Sequence, residues 1–207
     1  MRHPTVNISY ANKAERKLIA QWLQDPLYYR DAFLLPERPD PAWVDAGFLL
    51  IKNPNGLELL SVNFWAIKDN PKRKNADREQ KIDSSCPLLG FSIDYPSDVH
   101  LDDIREIDFA LPNAQKNQGR LPFDALAWTA HAVFQKEEAQ QVRTNIRSTR
   151  GRGFPRIFAR IGAVETPISG LHLENESHQN RTHYSVTAEM FYHSYWAKEY
   201  GLTMQDA

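Results

Sequence analysis

The fold is decided by residues 104–134, which read IREIDFALPNAQKNQGRLPFDALAWTAHAVF. Apolar and acidic side chains alternate through Ile104–Leu111, which is typical of a β-strand with one face in the core. Glu106 and Asp108 share the face opposite the apolar one. The first part of the stretch therefore predicts a strand that carries two carboxylates on one side.

The second part of the stretch predicts a loop over Pro112–Leu121 and then a helix. Pro122 suits the first helical position, and Asp124 in the first turn complements the helix dipole. Apolar side chains then recur at helical spacing from Phe123 to Phe134, which indicates a helix packed on the core. His131 lies beside this apolar stripe and is interpreted as a surface or hydrogen-bonded histidine.

The flanking sequence adds strands and helices on both sides. The predicted elements, in chain order, are a strand over Thr5–Tyr10, a helix capped by Asn12 and Glu15 and ended by Pro26, an irregular aromatic-rich segment over 26–45, a hairpin of Gly47–Ile51 and Leu57–Ile67, a polar loop over 69–85, strands over Pro87–Tyr95 and Val142–Ile146, a helix from Pro155 to Gly162, and a strand over His183–Trp196 that includes His193. This order favours an α/β (α+β) class with helices covering one sheet.

The composition, net charge and cysteine count limit the classes of protein to which this chain can belong. The 207 residues suit a single domain, residues 1–207, and a net charge of −1 argues against a globally basic nucleic-acid binder. With one cysteine, Cys86, and no metal-ligand spacing, we expect neither an intrachain disulfide nor a metal site. No apolar run is long enough to span a bilayer, so we expect no membrane association and a cytoplasmic setting. The sequence indicates no oligomeric state.

The element order is similar to that of the GCN5-related N-acetyltransferase (GNAT) superfamily. In that family a strand leads through a glycine-containing loop into a helix, and here Lys116-x-x-Gly119-x-Leu121 occupies the loop. Asn145 after the next strand and the helix end Ile157–Ala163 extend the resemblance, with Phe158 where many members carry a tyrosine. The resemblance implies a central mixed, mostly antiparallel sheet flanked by helices.

The resemblance also implies a donor, acetyl-CoA or another acyl-CoA. Backbone N–H groups of the loop at a helix start would hold its pyrophosphate, because they point outward and the helix dipole favours an anion. The residues that the resemblance assigns to the donor, or that add positive charge near it, are Phe109, Leu111, Lys116, Asn117, Gln118, Gly119, Arg120, Asn145, Arg152 and Arg156. The acceptor would be a small-molecule or protein amine of unknown identity.

Two further features bear on chemistry. An amine must lose a proton before it attacks a thioester, so Glu106 and Asp108 are candidate general bases; the alternative is that both are solvent-facing strand residues. The resemblance implies that the aromatic segment over 26–45 flanks the acceptor; the alternative is that its aromatic side chains pack in the core or in a lid.

Arginines are concentrated in residues 143–160, where six occur without Asp, Glu or Lys, so the remainder of the chain carries −7. Arg152, Arg156 and Arg160 would line one helical face if the helix reaches back that far. The cluster suits the 3′-phosphate of CoA, a polyanionic substrate, a nucleic acid in a non-catalytic binding module, or an acidic acyl-carrier protein as donor. The alternative is a solvated face without a ligand.

Overall fold

The computed structural model describes residues 5–30, 32–33, 35–53, 56–70, 87–98, 101–113, 120–147, 154–167 and 181–204. The strands within these ranges are β1 (Val6–Tyr10), β2 (Phe48–Asn53), β3 (Gly56–Ser61), β4 (Asn63–Asp69), β5 (Leu88–Asp98), β6 (Leu101–Ala110), β7 (Gln141–Arg147), β8 (Val164–Thr166) and β9 (Arg181–Thr187). The helices are α1 (Lys13–Trp22), α2 (Pro26–Tyr29), α3 (Pro41–Ala46), α4 (Leu121–Lys136), α5 (Phe154–Arg160), α6 (Ala188–His193) and α7 (Tyr195–Tyr200). None of these helices is both long and apolar enough to cross a lipid bilayer.

Seven strands form one sheet in the order β1-β4-β5-β6-β7-β9-β8. Every pairing among these described strands is antiparallel except that of β6 with β7. The predicted mixed, mostly antiparallel sheet is therefore confirmed. The hairpin of β2 and β3 is also confirmed, but it forms a separate two-stranded sheet, and the predicted strand Leu57–Ile67 is in fact two strands that meet at Val62.

The sheet has a hydrophobic core on each face. On the first face, β4 and β5 side chains pack with α1, α3 and the hairpin; these residues include Ile19, Leu23, Val44, Leu49, Phe64, Ala66, Phe91, Ile93 and Tyr95. On the second face, β6, β7 and β9 pack under α4 to α7; these residues include Ile107, Leu126, Val133, Val142, Phe158, Tyr184, Val186, Phe191 and Trp196. Helices thus cover both faces of one sheet, as the element order predicts.

Local signals place the first helices. Asn12 and Glu15 form the predicted capping box, with the Asn12 side chain accepting from two backbone N–H groups and Glu15 accepting from the N–H of Asn12 at 2.8 Å. Pro26 does not simply end α1. It is the first residue of α2, which Asp25 caps, because proline fits the first helical turn.

The predicted long last strand is wrong beyond Thr187. The hydroxyls of Thr187 and Ser194 cap two short helices instead, α6 and α7. His193 therefore lies exposed at the end of α6, not in a packed strand.

Helix α4 confirms the apolar stripe and adds two buried polar anchors. Asp124 is fully buried and accepts hydrogen bonds from the Thr5 hydroxyl at 2.7 Å and the Trp196 indole at 3.3 Å. His131 is also buried, and its ring lies 3.1 Å from the Tyr192 hydroxyl. The polar residues of α4 thus tie the helix to the ends of the chain.

Candidate active site

Strands β6 and β7 pair over three residues and then separate. Their parallel register runs from Ile104 opposite Gln141 to Glu106 opposite Arg143. Beyond that point β6 continues to Ala110, still paired with β5 on its other edge, and β7 continues alongside β9. A cleft therefore opens in the middle of the sheet, next to the start of α4.

A cavity of about 610 Å³ fills this cleft. Most of its walls are apolar, and its polar side chains come mainly from the strands. The lining residues are Leu27, Tyr28, Ala32, Asp108, Phe109, Ala110, Leu111, Pro122, Phe123, Leu126, Thr144, Asn145, Ile146, Ile157, Phe158 and Arg181. A largely apolar cavity with a few convergent polar groups is the usual form of a small-molecule site.

Asp108 is the carboxylate in the described cavity wall. It is buried, its Oδ2 accepts a hydrogen bond from the Tyr95 hydroxyl at 3.0 Å, and its Oδ1 lies 3.5 Å from the Asn145 amide nitrogen. Burial raises the pKa of Asp108 to about 6, although the positive charge of Arg181 and the hydrogen bond from Tyr95 oppose that rise. The group is thus a stronger base than an exposed aspartate.

Glu106 lies on the same strand face but is not among the described residues that line the cavity. It is buried, and it accepts a hydrogen bond from the Ser97 hydroxyl at 2.9 Å. The oxygen of the Ser97 hydroxyl accepts a hydrogen bond from the Arg143 guanidinium at 3.1 Å. Burial raises the pKa of Glu106 to about 7; the Ser97 hydrogen bond and the charge of Arg143 lower it, and the charge of Asp108 raises it. The alternative of two solvent-facing carboxylates is therefore wrong, because the face that carries them is covered.

Arg181, at the start of β9, was not found from the sequence. Its guanidinium donates a hydrogen bond to the Asn145 side-chain oxygen and lines the cavity. The alternation of Arg181, His183 and Ser185 with Thr182, Tyr184 and Val186 was the available signal. The strand predicted from the sequence begins at His183, so it does not include Arg181.

Only some of the residues predicted to bind the acyl donor line the cavity. Phe109, Leu111 and Asn145 line the cavity, whereas Lys116, Asn117, Gln118 and Gly119 lie outside the described residues. The guanidinium of Arg120 is within 2.9 Å of Asp124 and 2.8 Å of Glu199, so two carboxylates balance its charge.

The arginine cluster is only partly described. The guanidinium of Arg143 donates a hydrogen bond to the Ser97 hydroxyl, whereas Arg156 and Arg160 are exposed on α5. Arg160 also lies over the Tyr195 ring at 4.9 Å. Arg152 lies outside the described residues, so the predicted helical face is described at two of its three positions.

Aromatic residues complete the cavity. Phe158 stacks on Tyr184 with ring centroids 4.0 Å apart, so α5 presents an apolar ring where the resemblance implies a tyrosine. From the aromatic-rich segment Tyr28 reaches the cavity, whereas Phe33 is buried against Phe91. The core interpretation of that segment therefore holds for Phe33, and the acceptor-flanking interpretation stays a prediction, with Tyr28 in the cavity wall.

No protein-family model and no curated protein matches the chain. Solved structures do match it over almost its whole length. An aminoglycoside acetyltransferase, AAC(6′)-Ib, in complex with coenzyme A has a TM-score of 0.55 at 14% identity, covering 90% of this chain and 96% of its own. The spermidine N-acetyltransferase from Vibrio cholerae, in complex with CoA and spermine, has a TM-score of 0.58 at 6% identity, covering 91% and 99%.

At such identities the likeness concerns the fold. What this chain shares with these acetyltransferases is an α/β fold, here a mixed sheet of seven strands flanked by helices. The predicted GNAT-like architecture is confirmed, and this chain has the fold of the GNAT acetyltransferases.

Proposed function

We propose that this protein is an acyl-CoA-dependent N-acyltransferase that transfers an acetyl or other acyl group to an amine. The carrying observation is the cleft between β6 and β7, which has the buried carboxyl of Asp108 in its wall. Proteins of the same fold crystallised with coenzyme A or acetyl-CoA support an acyl-CoA donor.

The edge of β6 supports a site for the donor's pantetheine arm. The Asp103 carbonyl accepts a hydrogen bond from the N–H of Gln140 at 2.8 Å, so the backbone groups of Asp103 point to the β7 side. Backbone groups alternate along a strand, and therefore those of Phe109 point to the same side. Beyond Glu106 that side is the cleft, where the amides of a pantetheine chain would find donors and acceptors in an otherwise apolar channel.

The donor's phosphates would bind beside the N-terminus of α4 and near α5. Residues 116–120, predicted from the sequence to form a loop, directly precede α4, whose N-terminal N–H groups favour an anion. Since the Arg120 side chain is paired with carboxylates, this residue would contribute through its backbone. The 3′-phosphate is assigned to Arg152 and Arg156, the latter exposed on α5.

Asp108 is proposed as the general base. It would take one proton from the acceptor ammonium; the nitrogen lone pair would then form a C–N bond at the thioester carbonyl, the C–S bond would break, and the second proton that the nitrogen loses would pass to the departed thiolate. A pKa of about 6 brings a carboxylate nearer to the operating pH, which makes proton transfer more effective. Because a thiol has a pKa near 8.5, the leaving thiolate needs little protonation, and Phe158 in place of a tyrosine is compatible with turnover.

A second candidate function rests on Arg156 and Arg160, which are exposed four residues apart on α5. Such a surface also suits a nucleic acid in a non-catalytic module, or an acidic acyl-carrier protein that brings the donor to the same cleft. A mobility shift with RNA or DNA that weakens with salt, and that is lost in the R156A/R160A double variant, would favour the nucleic-acid role. The cytoplasm remains the proposed setting, on the evidence of the single cysteine.

The test of the main proposal is CoA release from acetyl-CoA in the presence of a panel of primary amines. Asp108→Asn keeps the size of the side chain but removes the base, so kcat should fall by about 10²–10⁴-fold while acetyl-CoA affinity changes little. Glu165→Gln, an exposed residue on β8, is the matched control and should keep wild-type activity. Equal kcat in wild type and Asp108→Asn would contradict the assignment of the base.

A further inference from the structure

The carboxyl of Asp108 is held from the side of β5. Ile93 lies opposite Asp108 in the antiparallel register of β5 and β6, and Tyr95 lies two residues further along β5 on the same face. The Tyr95 hydroxyl reaches Asp108 diagonally across the strand pair and donates a hydrogen bond of 3.0 Å to Oδ2. The Ser92 hydroxyl, also from β5, donates to the backbone carbonyl of Asp108 at 2.8 Å. Strand β5 therefore holds both the backbone and the side chain of the proposed base.

The Tyr95 hydroxyl is a fixed donor to that carboxyl. Only 1% of Tyr95 is exposed, and its ring belongs to the core on the first face of the sheet. Burial and the negative charges of Asp108 and Glu106 raise the pKa of Tyr95, so the phenol keeps its proton over the pH range in which enzymes work. The packed ring and the retained proton together keep the hydrogen bond aimed at Asp108.

The two carboxyls of β6 have different donors. The Ser97 hydroxyl donates to Glu106 at 2.9 Å, whereas the Tyr95 hydroxyl donates to Asp108. Of these two carboxyls, Asp108 is the one among the described residues that line the cavity. Tyr95 is not among those described lining residues, so its effect on a reaction in the cleft would pass through Asp108.

The other oxygen of Asp108 is directed towards β7. Oδ1 lies 3.5 Å from the amide nitrogen of Asn145, a long contact, and Asn145 lines the cavity from β7. Oδ1 is therefore at the split between the two strands, where an amine in the cleft would meet it. A carboxylate that rotates presents either oxygen to the amine, whereas one that is held at Oδ2 presents Oδ1, and proton transfer depends on such fixed geometry.

We propose that Tyr95 is a positioning residue for the base: its hydroxyl holds Oδ2 of Asp108 so that Oδ1 meets the acceptor amine. This inference rests on the proposed acyltransferase function and deepens it. In the proton transfer, Oδ1 takes the proton from the ammonium, and the Tyr95 proton stays on its own oxygen. The hydrogen bond to Oδ2 is present before and after the step.

The kinetic test removes the hydroxyl alone, with Tyr95→Phe. CoA release from acetyl-CoA is followed with spermidine, tryptamine, leucinamide and kanamycin as amines. We expect kcat at pH 8 to fall by about tenfold, less than in Asp108→Asn, while KM for acetyl-CoA changes less than twofold. Adding Tyr95→Phe to Asp108→Asn should lower kcat less than twofold further, since the hydroxyl acts through the carboxylate.

Tyr192→Phe is the matched control. Tyr192 is also buried, its hydroxyl lies 3.1 Å from a ring nitrogen of His131, and it is not among the described residues that line the cavity. The control thus loses a buried tyrosine hydroxyl on α6, and it should keep the wild-type kcat. An equal fall of kcat in both variants would overturn the proposal, because the loss would then follow from lower stability.

A second measurement needs no turnover. The ¹³C signal of the Asp108 carboxyl, assigned by its absence in Asp108→Asn, gives the titration of this group directly. In Tyr95→Phe the titration should move to higher pH, because a hydrogen bond that favours the ionised form is lost. The other charged or titratable groups on the same sheet face or in the cavity wall are unchanged in this variant; they are Tyr28, Glu106, Arg143, Arg181 and His183.

The remaining outcomes also decide. A carboxyl titration that does not move, or a kcat equal to that of wild type, in a folded Tyr95→Phe overturns the positioning role, while acetyl-CoA binding leaves the proposed function standing. If Tyr95→Phe fails to fold, 3-fluorotyrosine at position 95, a stronger donor of nearly the same size, should move the titration to lower pH, and an unmoved titration overturns the role. If acetyl-CoA gives no binding heat with wild type, the proposed function fails and the positioning role fails with it.

Discussion

Replacing Glu106 by glutamine should stabilise the protein above pH 7. The folded chain holds this carboxyl in a buried site where its pKa is about 7, whereas the same group has a pKa of 4.5 in a solvated chain. Between these values the unfolded chain releases a proton that the folded chain keeps, so the free energy of unfolding falls as the pH rises. Glutamine has no proton to lose, and the penalty disappears.

The expected size follows from the two pKa values. They differ by about 2.5 pH units, and at about 1.4 kcal/mol per unit the full penalty is about 3 kcal/mol above pH 7. Glutamine also keeps an oxygen that can accept from Ser97, so this hydrogen bond survives. Near pH 4 the carboxyl is largely neutral in both states, and there the two proteins should have nearly equal stability.

The assay is urea unfolding of wild type and Glu106→Gln at pH 4.5, 6 and 8, followed by circular dichroism. The difference in free energy of unfolding should grow with pH to about 2–3 kcal/mol in favour of the variant. Glu165→Gln, exposed on β8, serves as control and should stay within about 0.5 kcal/mol of wild type. A variant less stable than wild type at pH 8 would refute the reasoning, because it would show Glu106 ionised and stabilised by Arg143.

Two further predictions concern the cleft and the helix beside it. The kcat/KM of the wild type should rise with pH, with its midpoint near pH 6 where Asp108 is half deprotonated, and should level off at higher pH. Arg181→Gln should move this rise to higher pH, because the charge of Arg181 lowers the pKa of Asp108; a pH profile that this substitution does not move would show that Asp108 is not the base. Asp124→Ala should lower the free energy of unfolding by about 3 kcal/mol, since the buried aspartate accepts from Thr5 and Trp196 and pairs with Arg120; an unchanged melting temperature in calorimetry would disprove this anchoring role.

The elements that carry the cleft were predictable because their patterns are local. Strand β6 shows a two-residue alternation, and α4 shows a stripe of helical spacing with proline near its start. Both predicted elements are present in the structure, and each of them buries its apolar side. The capping box of α1 likewise depends on residues three apart in the chain.

What the sequence did not reveal depends on tertiary contacts. The polar face of β6 reads as solvated, yet Glu106 and Asp108 are buried because neighbouring strands and their arginines cover them. Arg181 joins Asn145 only because β9 returns beside β7, a pairing that no local pattern specifies. The aromatic residues of the segment 188–200 have strand propensity, but the segment forms helices because Thr187 and Ser194 cap α6 and α7.

The central claim is that an acyl-CoA binds in the cleft between β6 and β7, and calorimetric titration with acetyl-CoA tests it most directly. Ile146→Trp places a large ring in the cavity wall, whereas Ile146→Val is a conservative control at the same position. We expect saturable binding with one site in the wild type, similar binding in Ile146→Val, and affinity weaker by tenfold or more in a folded Ile146→Trp. Absence of binding heat in the wild type at millimolar acetyl-CoA, or equal affinity in Ile146→Trp, would contradict the account.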